Sequence, residues 1–347
     1  MSSSSPASVF DVDLRPGRPP VLRAGDAPGP AAGSADGSAD GWAAGWAAEH
    51  RDSLRAFVAE HGCVLVRGLG LRDVAGTGTV FRQLAAGLMT EREAFAARQA
   101  YPDGLYSASK WPANQQMCMH HELSYTLEFP GLMLFACLTA PASGGATAVA
   151  DAPTVLRALP AELVSRFERE GWVLTRNYNE DIGASVAEAF GTDDRGAVES
   201  YCRANATEFE WQPDGGLRTR QLRSAVVRHP LTGQRCWFNQ VAFLNERTLD
   251  PEIREYLVDV YGADGLPFNT CFGHGDAIGD DVVRLLNETY EANTVREPWQ
   301  AGDLLLVDNI RTAHSREPYS GPREVLVAMA DPVRLADCSP TIEVAAR

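Results

Sequence analysis

Two histidines and a glutamate stand together in MHHELSY: His120, His121 and Glu122. In a β-strand, residues i and i+2 project to the same side. His120 and Glu122 can therefore reach one ion together while His121 faces away. A third ligand is needed, and His314 in DNIRTAHSREPY is the best candidate. Two imidazoles and one carboxylate on one face of an ion leave the opposite positions open, which suits Fe(II) holding a bidentate oxoacid and O2. An isolated H-x-E is more often a hydrogen-bonded surface pair, so the weight falls on what accompanies it. His50, His61, His229 and His274 have no such company and read as structural histidines.

Arg323 lies at the start of an apolar run in SGPREVLVAM, after a Ser-Gly-Pro turn. A hairpin there would return it toward the strand of His314. A guanidinium binds a carboxylate through two parallel hydrogen bonds, and the distal carboxylate of 2-oxoglutarate is the expected guest. Arg316, two residues from His314 and on the same face of a regular strand, competes for that role. In PASGGATAVAD, Gly144 and Gly145 allow a tight turn before Thr147 enters a strand, where its hydroxyl could donate to the oxoacid. No GKS or GKT follows the glycines, so this is not a phosphate loop.

The elements that must position these residues can be read around them. The chain has 347 residues, enough for two domains or one large β-rich domain with insertions. Residues 1–40 are rich in Ser, Ala, Gly and Pro and read as a flexible tail; residues 41–347 read as a single domain with helical insertions. A helix is expected from Trp42 to about His61, capped by Gly62. CVLVRGL (63–69) reads as a strand, and 78–98, 152–172, 184–205, 249–261 and 279–293 as helices. Short apolar runs follow at 133–140, 146–151, 224–230, 236–244, 303–309 and 324–329. They are too scattered for a βαβ alternation. The expected fold is mainly β with flanking α-helices, a sandwich or jelly roll.

Composition narrows the partners. With 46 acidic and 31 basic residues the formal charge is −15, which disfavours nucleic acid as the main partner. Arg218, Arg220, Arg223 and Arg228 form a local basic exception. No apolar run of about 18 residues occurs, so no membrane span is expected, and the N-terminus lacks the pattern of a secretory signal. The seven cysteines are odd in number and contain no CxxC, which points to a reducing, cytoplasmic compartment.

The blocks His120-x-Glu122, LEFPGLMLFACLTAPASGGATAVAD, RHPLTGQRCWFNQ and WQAGDLLLVDNIRTAHSREPYSGPREVLVAM, in this order, resemble the TauD/TfdA-type Fe(II)/2-oxoglutarate dioxygenases. The similarity runs from about residue 63 to about 332. It is greatest to the clavaminate-synthase-like branch, which includes the syringomycin-pathway aspartyl hydroxylase. The resemblance implies a double-stranded β-helix (jelly-roll) core, with His120, Glu122 and His314 as iron ligands and Arg323 and Thr147 as 2-oxoglutarate contacts. The wider family often has Asp where this chain has Glu122, and Glu occurs in this branch. Halogenating relatives carry a small residue there, so an intact Glu122 points to hydroxylation, or to desaturation or ring closure by the same oxidant.

Relatives in this branch act on amino acids, free or tethered to a carrier protein. The expected substrate is such a small molecule in secondary metabolism, with Gln116, Asn239, Ser107 and Ser109 as candidate pocket residues. Docking of an acidic carrier would need a positive patch, which the Arg218–Arg228 segment could supply. Two rival readings remain at this level. A zinc hydrolase on the same triad gives no role to Arg323, and a non-catalytic binding module predicts a damaged triad.

Overall fold

The structure is a computed structural model that describes residues 11–25 and 39–344. Its centre is an eight-stranded sheet in which Cys63–Arg67, Leu304–Asp308, Glu128–Thr139 and Glu324–Arg334 lie side by side in that order. Side chains alternate across it, as the two-residue period of a strand requires. Leu132, Leu134 and Ala136 point one way with Leu304, Leu306 and Leu326, against Leu54 and Phe57 of the helix Ala39–His61 and Val80 and Phe81 of the helix Val74–Leu84. Met133, Phe135 and Cys137 point the other way with Leu305, Val307, Val325 and Val327. Both faces are buried, which is why MLFACLTA and DLLLVDN read as continuous apolar runs rather than alternating ones.

The second face looks onto a smaller sheet, ordered Thr294–Val295, Val149–Asp151, Thr312–Arg316 and Met117–His120. Its pairs are antiparallel, and His314 stands opposite both His120 and Val149. The two facing sheets form the jelly roll expected from the sequence. Gly62 ends the first helix as anticipated, with its N–H bonded to Val58 O and φ at 85°. A Cβ at Gly62 would stand 2.3 Å from the Thr312 hydroxyl, so only glycine fits.

Four expectations change. The tail expected over 1–40 contributes two strands, Val12–Asp13 and Val21–Arg23, and the latter pairs in parallel with Cys63–Arg67. Val21 and Leu22 are buried, so an apolar pair inside a polar, Pro-rich stretch was enough to add an edge to the sheet. Residues 1–10 and 26–38 of that expected tail lie outside the described residues. The helix expected over 78–98 is Val74–Leu84, capped at its start by the Asp73 carboxylate on Gly76 N–H. Beyond it, residues 86–99 run irregularly along the sheet edge, where Met89 N–H bonds Met329 O. The spans 152–172 and 184–205 each break in two, at Pro160 and at Gly191. Finally, the insertion between the strands of Asp151 and Thr294 is not only helical. It holds a four-stranded sheet of Glu208–Trp211, Leu217–Arg223, Trp172–Tyr178 and Phe268–Phe272. No helix among the described residues is long and apolar enough to cross a membrane.

Candidate active site

The strand Met117–His120 ends at His120, and the chain then turns through His121 to Thr126. Glu122 therefore reaches the site from a turn, not by strand alternation as the spacing suggested. Leu123, the next residue, has φ at 53°, an unusual conformation for a buried leucine. The surroundings hold it there. The Asn309 side chain accepts from Glu122 N–H at 2.8 Å and donates to Glu122 O at 2.9 Å and Pro130 O at 2.8 Å. His121 does face away, and its Nδ1 lies 2.6 Å from Asn309 O.

His120, Glu122 and His314 come together. One ligand atom from each lies within 4.8 Å of the others, and all three residues are buried. His120 Nδ1 sits 2.8 Å from Cys118 O. A carbonyl only accepts, so Nδ1 carries the proton and Nε2 keeps its lone pair for a metal. His314 Nε2 stands 3.7 Å from Glu122 Oε2, longer than a hydrogen bond. The gap leaves room for a cation that both groups could ligate. Two imidazole nitrogens and a carboxylate, with no thiolate, form a donor set that fits Fe(II).

The electrostatics favour ligand-ready protonation states. Burial, with His314 adding to it, pulls His120 down to about 3, so the ring is neutral at physiological pH. Burial pushes the Glu122 carboxyl up. The Arg98 guanidinium, then His314 and His120, outweigh that and hold it well below the usual carboxylate range. Arg98 Nη2 donates to Glu122 Oε2 at 3.0 Å.

Beside the triad a cavity is lined by Thr147, Arg323, Ser109 and Arg98, with Phe135, Val325 and Val327 as its apolar wall. Arg323 is where the hairpin reading put it. Its Nε donates to Gly145 O at 2.9 Å, and among the described residues it forms no ion pair. Burial, and the nearby charge of Arg316, pull its guanidinium down to about 10. Gly145, at φ 71°, leaves room for the Arg323 stem and for Tyr319, which a Cβ would meet at 3.2 and 2.9 Å. The competing Arg316 is already committed: its two Nη atoms donate to the carbonyls of Trp111, Pro112 and Gln115.

The other substrate candidates separate. Ser109 lines the cavity, and Gln116 is exposed and outside its lining. Asn239 is buried in a structural role, donating to Ala225 O and accepting from Val241 N–H. Ser107 bonds to Gln99 N–H and Ala108 O. The arginine segment makes no single basic face, because Arg223 is wholly buried among carbonyls and Arg218 pairs with Asp264. Sequence reasoning missed Arg98, Asn309 and Phe243, whose ring stacks on His120 at 4.7 Å between centroids. Asn309 sits inside the DNIRTAH block and Phe243 just after WFNQ, so both had a positional signal; Arg98 had none.

A jelly roll in which two histidines of the smaller sheet meet a glutamate of the following turn, beside a half-buried arginine with no ion pair among the described residues, has the site of a non-haem iron oxygenase. The sequence profile of the "Taurine catabolism dioxygenase TauD, TfdA family" matches residues 28–329, and the chain belongs to that family. It is accordingly an Fe(II)/2-oxoglutarate-dependent dioxygenase. The dapdiamide synthesis protein DdaC of Enterobacter agglomerans is 35% identical over 276 residues, covering 80% of this chain and 84% of DdaC. A clavaminate synthase-like protein of Arabidopsis thaliana is 26% identical over 290 residues, covering 80% and 83%. The crystal structure of PvcB from Pseudomonas aeruginosa superposes with a TM-score of 0.53 over 96% of both chains at 15% identity, which is a likeness of fold.

Proposed function

We propose that this protein oxidises a C–H bond of an amino-acid-like small molecule in natural-product biosynthesis, with hydroxylation as the outcome. Its iron is held by His120, Glu122 and His314, and its 2-oxoglutarate by Arg323 and Thr147. The observation that carries the reading is Arg323: a half-buried guanidinium without a carboxylate partner among the described residues, lining the same cavity as His120 and His314 of a buried two-histidine, one-glutamate cluster. A zinc hydrolase would leave that arginine without purpose. DdaC, named for dapdiamide synthesis, supports the biosynthetic setting.

When bound, iron and 2-oxoglutarate together activate O2 and release CO2 and succinate as the substrate is oxidised. The chain's own residues bind, orient and exclude. His120 presents a neutral nitrogen, His314 adds a second imidazole, and Glu122 brings the negative charge. Arg323 anchors the far carboxylate of the oxoacid through its fork. Phe135, Val325 and Val327 keep that cavity apolar, which strengthens the ion pair and sheds water. Glu122 would take the ligand position that a halide would need, so chlorination is not expected. We read the substrate as free rather than carrier-tethered, because the arginine segment offers no basic face to an acidic carrier. The seven cysteines are all free, in keeping with a cytoplasmic site.

The test is an anaerobic Fe(II) and 2-oxoglutarate titration, followed by an amino-acid screen scored by succinate release under ¹⁸O2 with chloride present. One ¹⁸O atom in the product supports hydroxylation. Loss of two hydrogens without label shifts the reading to desaturation or ring closure, and a chlorinated product overturns the argument from Glu122.

A further inference from the structure

Arg98 comes from outside the jelly roll, on the irregular segment 86–99, yet its guanidinium ends against the metal cluster. Its Nη2 lies 3.0 Å from Glu122 Oε2 and its Nε 3.2 Å from Glu91 Oε1. All three side chains are under a tenth exposed. The acceptor on Glu122 is the same Oε2 that faces His314 Nε2 at 3.7 Å. A charge-assisted hydrogen bond in a buried site fixes the plane of a carboxylate far better than solvent does.

The segment that delivers Arg98 is itself bolted to the inserted sheet. Arg176 donates from Nη1 to Glu93 O at 2.8 Å and from Nη2 to Ala94 O at 2.9 Å. The Tyr125 hydroxyl donates to the same Glu93 carbonyl at 2.7 Å, and Ala94 N–H bonds Ala189 O. Arg98 is thus held at its base by backbone ties, at one edge by Glu91, and at the other by Glu122.

We propose that Arg98 is a positioning residue for Glu122, fixing the carboxylate in one rotation for the metal that His120, Glu122 and His314 would hold. This rests on the reading of Glu122 as an iron ligand. Arg98 donates and never coordinates, and Glu91 acts one step further out by orienting it. Hydrogen-bond partners of metal ligands commonly matter by about 10- to 100-fold in metal affinity.

The experiment compares the parent protein with Arg98→Met, Arg98→Lys and Glu91→Gln. It reads anaerobic Fe(II) affinity, the absorption spectrum of the Co(II)-substituted protein and the visible charge-transfer band of the Fe(II)–2-oxoglutarate complex. Arg98→Met should weaken Fe(II) binding by about 10- to 100-fold and change the Co(II) spectrum. Arg98→Lys, which keeps the charge but not the fork, should recover part of the loss. Glu91→Gln should show a smaller change in the same direction. If Arg98→Met does not fold, by circular dichroism, the other two variants decide. Parent-like Fe(II) affinity with superimposable Co(II) spectra overturns the proposal. So does tighter binding in Arg98→Met, which would make Arg98 no more than a nearby positive charge. A parent protein that shows no charge-transfer band with Fe(II) and 2-oxoglutarate would instead sink the functional reading beneath it.

Discussion

Replacing Asn309 by Ala should damage both stability and metal binding, and the structure sets the scale. Asn309 is completely buried, and its amide satisfies three backbone groups: Glu122 N–H, Glu122 O and Pro130 O. Alanine leaves all three without a partner in a site closed to solvent. A buried polar group left unsatisfied costs about 1–3 kcal/mol, so the sum is about 3–9 kcal/mol. Against a typical total stability of about 5–15 kcal/mol that is a large share. Asn309→Asp keeps the shape and the acceptor toward Glu122 N–H but turns a buried carboxylate oxygen on the two carbonyls it no longer donates to, so it should cost at least as much as alanine. The same bonds hold the turn at Leu123, with its φ of 53°. Freed of them, Glu122 should wander from His120 and His314, and Fe(II) affinity should fall with stability. Urea unfolding of the apo protein gives the first quantity, and anaerobic Fe(II) titration gives the second. An Asn309→Ala protein within about 1 kcal/mol of the parent, retaining parent Fe(II) affinity, would refute the reasoning, since even one unsatisfied group should cost that much.

Arg323→Leu removes a charge-assisted pair worth about 2–4 kcal/mol, so the 2-oxoglutarate dissociation constant should rise about 30- to 700-fold by isothermal titration. Arg316→Leu should instead unfold more easily while binding 2-oxoglutarate nearly as the parent does, because its bonds run to Trp111, Pro112 and Gln115; if only Arg316→Leu loses the oxoacid, the two roles are reversed. His314→Ala should lose iron on gel filtration and with it succinate release, and wild-type iron content with full activity would remove it from the ligand set. A chain starting at Gly41 gives up the burial of Val21 and Leu22, about 3–6 kcal/mol at 1.5–3 kcal/mol per side chain, and uncovers the edge at Cys63–Arg67; unchanged thermal unfolding would show that this edge strand adds nothing.

The parts of this protein that sequence made legible were those where a residue's neighbours in the chain are also its neighbours in the site. Arg323 follows a turn that any Ser-Gly-Pro would make, and the hairpin placed it. The alternating core of Glu128–Thr139 and Leu304–Asp308 was visible as apolar runs, because both of its faces are covered. Glu122 stands beside His120 and His314, but it arrives there by a different geometry from the one expected. A turn does what a strand was expected to do, and the Asn309 amide, arriving from the far end of the chain, ties that turn at Glu122. The helix expected over 78–98 failed for the related reason that its second half finds better partners in the sheet edge and the inserted sheet than in its own backbone. The substrate candidates Gln116 and Asn239 were polar residues near the right segments. One turned out to face solvent and the other to serve its own backbone, as polar residues next to turns usually do.

Arg98 could not have been found in this way, and the reason bears on how the site is built. No spacing rule links ARQAY to HHELSY, because the contact is made by a segment without periodic structure whose course is set by the insertion. That insertion brings a buried carboxylate, Glu93, together with the Tyr201 hydroxyl at 3.1 Å and with the carbonyl ties from Arg176 and Tyr125. Burial pushes Glu93 up, and Arg176 and Arg223 act against it, so the cluster is costly to form and strongly specific once formed. The jelly roll alone supplies His120 and His314 from neighbouring strands of its smaller sheet and Glu122 from the turn that follows His120. It does not supply the group that fixes Glu122 in rotation. Segment 86–99 does that, tied down by Arg176 of the inserted sheet and by Tyr125. The insertion and the metal cluster are therefore one mechanical unit, with Arg98 as the link between them.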